Sequence, residues 1–376
     1  MRLINYYLKK KFNPVPLKVN EKKDFFKHLK LRVNLIENHL KIPLSLLNKK
    51  NVLEFGPNRG ENSMLYAIYG AKLYFVEPIK ESCIELKKKY EKFKLINSIK
   101  RIQNSSLEKF KSKTKFDFVI AEGFLNTLDN REKYLIKLFK TVKKEGLVLI
   151  NYDDYYGSFN ELLKSAILKK ICLQKKIKLD SNDSLKISKK LFYQDFKKLR
   201  NTRPFKAYWL DQLSCEFAQD VWKLKKILNI AKKNNFYYYS SSPSWQTSNN
   251  LTWYKDINLN RVKNSNKSIL NEWFNNFDYF LTGKNNNQFN FDKKKLIRQL
   301  DQLTLRLIKF LKQNNKITFS EFNIKNNPYF KDVNLIIKFL NSNKEKLNYK
   351  KLKNFRLSTG TNLHYLCLKK NEKNFI

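Results

Sequence analysis

Residues 51–62 read NVLEFGPNRGEN: a short apolar run carrying one acid, two glycines four apart, and then the start of a helical pattern. An apolar run, a glycine turn and a helix make the first unit of a strand–loop–helix fold. The flanking text repeats that unit. KNVLEF predicts a strand and ENSMLYAIYG a short helix closed by Gly70. AKLYFVE is a second strand and IKESCIELKKKYEKF an amphipathic helix. SIKRIQ is a weaker strand, FDFVIAE a strong one, NREKYLIKLFKTVKKEG a helix stopped at Gly146, and LVLINY a fully apolar strand. Alternation at this spacing implies parallel strands joined by right-handed crossovers, an α/β doubly wound sheet.

Outside this region the text changes. Residues 1–48 read as a helical segment, with FFKHLKLRVNLIENHL carrying apolar residues at helical spacing and Pro43 ending it. Residues 49–160 form the sheet core. Residues 161–376 read as a mainly helical elaboration: FNELLKSAILKKICL, SLKISKKLFYQDFKKLR and CEFAQDVWKLKKILNIAKK, then an aromatic stretch, FYYYSSSPSWQTSNNLTWYKD. The Asn-rich tracts VKNSNKS and TGKNNNQFNF read as loops. Leu296, Leu300, Leu303, Leu307 and Phe310 recur at four- and three-residue intervals. Two heptads are too few for a coiled coil, so core packing is expected. NLHYLCLKK reads as a strand returning to the sheet edge.

Composition bounds the function. Hydrophobic content of 42% supports globular packing, and no apolar run reaches the roughly 20 residues that span a bilayer. MRLINYYLKKKFNP lacks a secretory pattern, and Cys83, Cys172, Cys215 and Cys367 are scattered without a CxxC pair. His28, His39 and His364 are too few and too spread for a metal site. The expectation is a cytoplasmic protein without a metal. The net charge of +44 admits two readings. It draws in polyanions, or it reflects AT-rich codons, because only 11 of the 77 basic residues are arginine and the lysines run the whole length. The second is preferred.

The loop narrows the ligand. A P-loop needs Lys after the last glycine, and Glu61 follows Gly60. The dinucleotide fingerprint fails because Pro57-Asn58-Arg59 separates Gly56 from Gly60. Glu54 and Glu61 flank the turn with negative charge, which favours a ligand carrying an amine or a sulfonium. E-x-G-x-x-x-G here resembles motif I of the class I S-adenosylmethionine-dependent methyltransferases. The resemblance covers about residues 30–165 and implies a Rossmann-like sheet that binds S-adenosylmethionine. It implies that Glu54, Gly56, Asn58 and Gly60 approach the methionine part. Glu77, 23 residues after Glu54 in YFVEP, would bind both ribose hydroxyls. Ser105 and Ser106 stand where the adenine amino group is held, with Ser105 replacing the common aspartate, and Asn58 replaces a glycine. Glu122, after FDFVIA, would line the site.

Beyond residue 150 there is a further similarity, in element order and aromatic placement, to bacterial methyltransferases of surface-polysaccharide and other glycan biosynthesis. Trp245, Trp253, Tyr254 and Tyr237–Tyr239 would stack on sugars, on bases or on one another. Asp153 and Asp154, directly after strand five, or His364, are candidates for base or substrate ligand; the acid pair equally suits a helix N-terminus. The expected activity is methyl transfer to a small-molecule or glycan-type acceptor. The alternatives are an RNA or protein-lysine methyltransferase using the basic surface, and a non-catalytic binding subunit.

Overall fold

The computed structural model describes residues 5–6, 22–198, 204–214, 220–245, 260–282, 292–313, 317–324, 327–343, 346–358 and 362–371. Trp253, Tyr254, Cys215 and most of TGKNNNQFNF fall outside them. The chain divides into two units.

The first unit comprises residues 1–152, 222–274 and 364–376. Helix α1 (Lys22–Val33) runs into a π turn (Asn34–His39). The element therefore ends before Pro43, which instead caps a 3-10 turn at Leu44–Leu47. Strands β1 (Asn51–Phe55), β2 (Lys72–Glu77), β3 (Ile99–Asn104), β4 (Phe116–Ala121) and β5 (Val142–Asp153) alternate with α2 (Met64–Ile68), α3 (Lys80–Lys92) and α4 (Arg131–Thr141). With two later strands, β6 (Phe236–Ser242) and β7 (Leu363–Lys370), the sheet order is β3-β2-β1-β4-β5-β7-β6. All four pairings given among β1 to β5 are parallel. β1 is internal, between β2 and β4, and Val52 to Phe55 are buried, because a parallel strand is covered on both faces and must be apolar throughout. The exception, Glu54, pairs in register with Phe75 and Ile120. β3 is the outer strand and half polar, as an edge needs to be. The order reverses between β1 and β4, so their carboxyl ends border the crevice where such sheets take ligands.

Several elements differ from the sequence reading. Helix α4 ends at Thr141, and VKKEG opens β5. The β4–β5 register is irregular there: Phe116 pairs with Val142 and Phe118 with Leu147. Glu145 takes the extra turn at φ +59. In the stretch CEFAQDVWKLKKILNIAKK only α8 (Leu224–Lys233), as numbered along the chain, is helical among the described residues. FYYYSSS, read as an aromatic stretch, is β6 (Phe236–Ser242), antiparallel to β7 (Leu363–Lys370). β6 thereby takes the edge, and β7, expected there, lies one strand in. VKNSNKS, expected as a loop, belongs to helix α9 (Asn260–Asn275).

The second unit comprises residues 153–221 and 275–363. Its axis is α5 (Phe159–Gln174), buried at every residue from Phe159 to Lys169. Around it stand α6 (Asn182–Lys198), the short α7 (Phe205–Tyr208) with a π turn at Trp209–Leu213, α10 (Phe277–Thr282), α11 (Lys293–Lys312), α12 (Pro328–Asn341) and α13 (Lys353–Leu357). Leu296, Leu300, Leu303, Leu307 and Phe310 of α11 are all buried. They pack within the unit, as their spacing implied. Among the described residues no helix is long and apolar enough to cross a membrane.

Candidate functional site

The loop after β1 is built from left-handed backbone. Gly56, Asn58 and Gly60 have φ of +65, +53 and +76. Space adds to the demand at both glycines. A Cβ on Gly56 would stand 3.0 Å from the Phe124 ring, and one on Gly60 would meet Leu86 at 2.9 Å and Tyr90 at 3.0 Å. Asn58 replaces a glycine without a conflict, since asparagine adopts positive φ more readily than most residues. The loop amides are already used: Gly56 N–H donates to Val76 O, Gly60 N–H to Pro57 O, both at 2.9 Å, and Asn58 N–H to Glu77 Oε2 at 2.9 Å. A pyrophosphate cradle requires free amides. These three are not available for it.

Glu77 closes β2 with its carboxylate buried. Besides the Asn58 bond, its Oε1 accepts from Ile79 N–H at 3.0 Å. The carboxylate is fixed by two backbone donors, and each oxygen keeps a lone pair for a vicinal diol. Burial pushes its pKa up to about 7 against the lowering effect of the two amides. Asn104 Nδ2 and Ser105 N–H both donate to Glu77 O, at 2.9 and 3.1 Å, tying the end of β3 to the end of β2. Ser105 and Ser106 sit half-buried beside it, their hydroxyls bonded locally, Ser105 to Ser106 O and Ser106 from Lys109 N–H.

Glu54 lies inside β1, receiving a hydrogen bond from Ser63 Oγ. Burial, and after it the like charge of Glu122, push its pKa up to about 8. Glu122 follows β4 and is held from a distant element. Arg32 on α1 donates Nη1 to Oε2 at 2.9 Å and Nη2 to Oε1 at 2.7 Å, a bidentate pair with both side chains under a tenth exposed. Arg32 also reaches Tyr66 Oη at 2.9 Å, and Asn62 Nδ2 donates to Glu122 Oε2 at 3.1 Å. His28 Nε2 meets Asn62 Oδ1 at 3.0 Å, and burial followed by the Arg32 charge lowers its pKa. The next residue, Gly123 (φ +81), donates its N–H to Asn151 Oδ1 at 2.6 Å, and a Cβ there would meet nothing within 4 Å. That side of the site is open.

The structure thus brings Glu54, Gly56, Asn58, Gly60, Glu77, Ser105, Ser106 and Glu122 to the carboxyl ends of β1 to β4. It adds residues the sequence reading missed: Arg32, Asn62, Ser63 and Tyr66. One signal did exist for Arg32, since arginine is scarce in this lysine-rich chain and offers the planar fork a carboxylate needs. His364 stands elsewhere in this unit. It is 1% exposed, packs edge-on against Tyr152 and Trp245, and faces Tyr152 Oη at 3.5 Å. Trp245 is buried in the same contact. Asp154 is 0% exposed and accepts from Tyr156 N–H at 3.0 Å and Gly157 N–H at 2.9 Å, turning the chain into α5. Asp153 remains half-buried at the end of β5.

The arrangement fits one class of ligand. Glu54, Glu77 and Glu122 converge with a single guanidinium, so a cationic ligand is favoured even though the chain as a whole is strongly basic. S-Adenosylmethionine carries a sulfonium, an amine and a ribose diol; bound here it would supply an electrophilic methyl. Glu77 would hold the diol, and the Gly56–Gly60 backbone would admit the methionine part.

Comparison with known proteins agrees with this chemistry. A family model described as a methyltransferase domain matches residues 26–238, more than half of the chain. No curated protein matches significantly. Among solved structures, PKMT2 from Rickettsia typhi is 17% identical, with 66% of this chain and 50% of that one covered at a TM-score of 0.44; it was also solved with AdoHcy. StiE O-MT residues 961–1257 are 11% identical over 92% of this chain and 75% of that one, TM-score 0.38. The N-methyltransferase NodS from Bradyrhizobium japonicum WM9 is 15% identical over 33% and 61%, TM-score 0.28. The chain spans about half the length of the first solved structures it resembles. On the family match, the chain belongs to the methyltransferase-domain family, of the class I S-adenosylmethionine-dependent type.

Proposed function

We propose that this chain transfers a methyl group from S-adenosylmethionine to a small-molecule or glycan-type acceptor in the cytoplasm. The observation that carries the choice of acceptor is the charge around the donor site. Segments 54–63, 76–79 and 120–130, at the carboxyl ends of β1, β2 and β4, contain Glu54, Glu61, Glu77, Glu122 and Asp129 against Arg59 alone. Nucleic-acid methylation needs phosphates brought to the donor, and the buried carboxylates among these, with Glu61 taking Lys89 and Glu122 taking Arg32, leave the donor site little positive charge to hold phosphates. A neutral hydroxyl or an amine needs no such charge. The aromatic and element-order similarity to glycan-pathway methyltransferases supports the hydroxyl. Residues 49–160 hold the donor, and residues 161–376 supply acceptor-binding surface, with 1–48 as a helical cover.

In-line transfer requires the nucleophile, methyl and sulfur to be aligned, and a hydroxyl nucleophile requires a base. Of Asp153, Asp154 and His364, the latter two are buried, at 0% and 1% exposure, whereas Asp153 is half-buried at the carboxyl end of β5. Asp153 is the residue assigned as base. Methyl-labelled S-adenosylmethionine incubated with bacterial extract tests both statements. Label should enter the small-molecule or glycan fraction, and Asp153→Asn should lower kcat by about a hundredfold with donor affinity unchanged. Label confined to RNA or protein would overturn the acceptor class.

A further inference from the structure

The sheet of the first unit has two ends of opposite character. Segments 54–63, 76–79 and 120–130, where β1, β2 and β4 finish, contain no lysine. The other end reads NKKN at 48–51, GAK at 70–72, KSKTKFD at 111–117 and KTVKKEG at 140–146. LKKN at 368–371, the end of β7, joins them where Lys370 Nζ donates to Val142 O at 3.1 Å. Eleven of these 25 residues are lysine, against 66 of 376 in the chain. AT-rich codons would enrich both ends alike, so the placement needs another cause. Hydrogen bonds set the segments side by side. Lys72 N–H donates to Lys50 O at 2.8 Å, and Asn51 N–H to Asp117 Oδ2 at 2.8 Å. Lys115 Nζ donates to Lys140 O. The basic surface therefore runs unbroken from β2 across β1, β4 and β5 to β7. Its two acids are already paired, Asp117 with Lys143 and Glu145 with Lys369. The ammonium of Lys370 has its pKa lowered by burial and then by the Lys115 charge, a mark of crowding. Lys49, Lys50, Lys72, Lys113, Lys115 and Lys144 are exposed.

Large apolar side chains are exposed at the same end. Leu46 is 61% exposed in the 3-10 turn before β1, and Ile68 and Tyr69, 50% and 36% exposed, close α2 ahead of β2. The two turns are joined, Lys49 N–H donating to Gly70 O at 2.9 Å. We propose that this rim, apolar at Leu46, Ile68 and Tyr69 and lysine-rich along the rest, docks the protein on an anionic lipid membrane. Membrane affinity adds buried apolar area to attraction between basic side chains and headgroups, and both are present here. Lysine is a hydrated point charge, suited to a layer of headgroup charge without fixed geometry. The five segments contain no arginine, whose planar fork recognises individual phosphates. Leucine and isoleucine gain by entering the acyl boundary and gain nothing against the phosphates of a nucleic acid. Docked by the amino ends of its strands, the sheet keeps its donor end in water.

The full chain is sedimented with vesicles of phosphatidylcholine, alone or mixed with phosphatidylglycerol, and titrated separately with polyuridylate RNA. Wild type should sediment with the mixed vesicles and stay in solution with the neutral ones. Lys49→Gln/Lys50→Gln/Lys72→Gln should lower vesicle partitioning about a hundredfold, at roughly fivefold per lysine. Lys80, Lys109 and Lys133 lie toward the donor end, at the start of α3, after β3 and in the first turn of α4. Changing those three to glutamine should lower partitioning by no more than about fivefold. Leu46→Gln/Ile68→Gln should lower it about tenfold and leave RNA affinity unchanged. All of these side chains are exposed, so the variants fold as wild type does. No preference for the anionic vesicles, or equal losses in the two lysine triples, would make the charge a diffuse property of the chain and overturn the proposal. Vesicle binding untouched by the apolar pair would overturn it as well; with RNA affinity lost in the rim triple, the partner is a nucleic acid.

Discussion

At the scale of single residues, Glu77 and Arg32 divide the work of the donor site. Glu77 is held open by two amides for a diol that must meet the ionised carboxylate. With its pKa raised to about 7, protonation removes an acceptor at modest acidity. Affinity for S-adenosylmethionine should therefore fall as pH drops from 8 to 6, measured by titration across that range; a flat profile would count against Glu77 as the ribose ligand. The ligand-free protein should behave in the opposite sense. Glu77 and Glu54 have folded pKa values raised to about 7 and 8 over the 4.5 of an ordinary glutamate. The folded state then binds more protons than the unfolded one between those limits. Their contribution to stability is complete below about 4.5 and is lost as pH rises through about 7 and 8. Arg32→Met strands Glu122 in a buried, unpaired state and should cost about 3–5 kcal/mol in chemical denaturation. Pairing it with Glu122→Gln should return part of that loss.

At the scale of elements, packing decides how far local pattern can be trusted. On α11, Leu303 is buried and Leu305 is 60% exposed. Leu303→Ala should destabilise by about 2–5 kcal/mol, while Leu305→Ala should change stability by less than about 0.5 kcal/mol; equal effects would refute the assigned face. Gly60→Ala introduces a Cβ at 2.9 Å from Leu86 in a left-handed backbone, at a cost of about 1–3 kcal/mol. Gly123→Ala meets open space and incurs the backbone term alone. The parallel strands were readable because two-sided burial makes them continuous apolar runs. β6 was not, because a half-exposed strand of tyrosines and serines carries little hydrophobic contrast. The end of α4 was misplaced because Gly146 reads as a helix stop. It serves instead in the irregular β4–β5 register, where a Cβ would stand 2.7 Å from Val142. The Arg32–Glu122 pair lies across 90 residues of sequence, beyond the reach of any local pattern, whereas Glu54, Gly56, Gly60 and Glu77 sit where two consecutive strands end.

At the scale of the whole molecule, the net charge of +44 and the acid-rich donor site are separate properties. The first gives salt-sensitive, sequence-indifferent attraction to polyanions; the second sets the chemistry. Raising ionic strength should therefore weaken retention on heparin or RNA steeply, while methyl transfer to the acceptor stays nearly constant. A parallel decline of both would give the basic surface a part in acceptor binding. Methylation of any acceptor requires the donor to be bound where β1 and β2 end. Isothermal titration of the full chain with S-adenosylmethionine tests that most directly. The expected result is one molecule bound per chain, with affinity reduced about tenfold or more by Glu77→Ala. No binding to the wild type, or unchanged affinity in the variant, would contradict it.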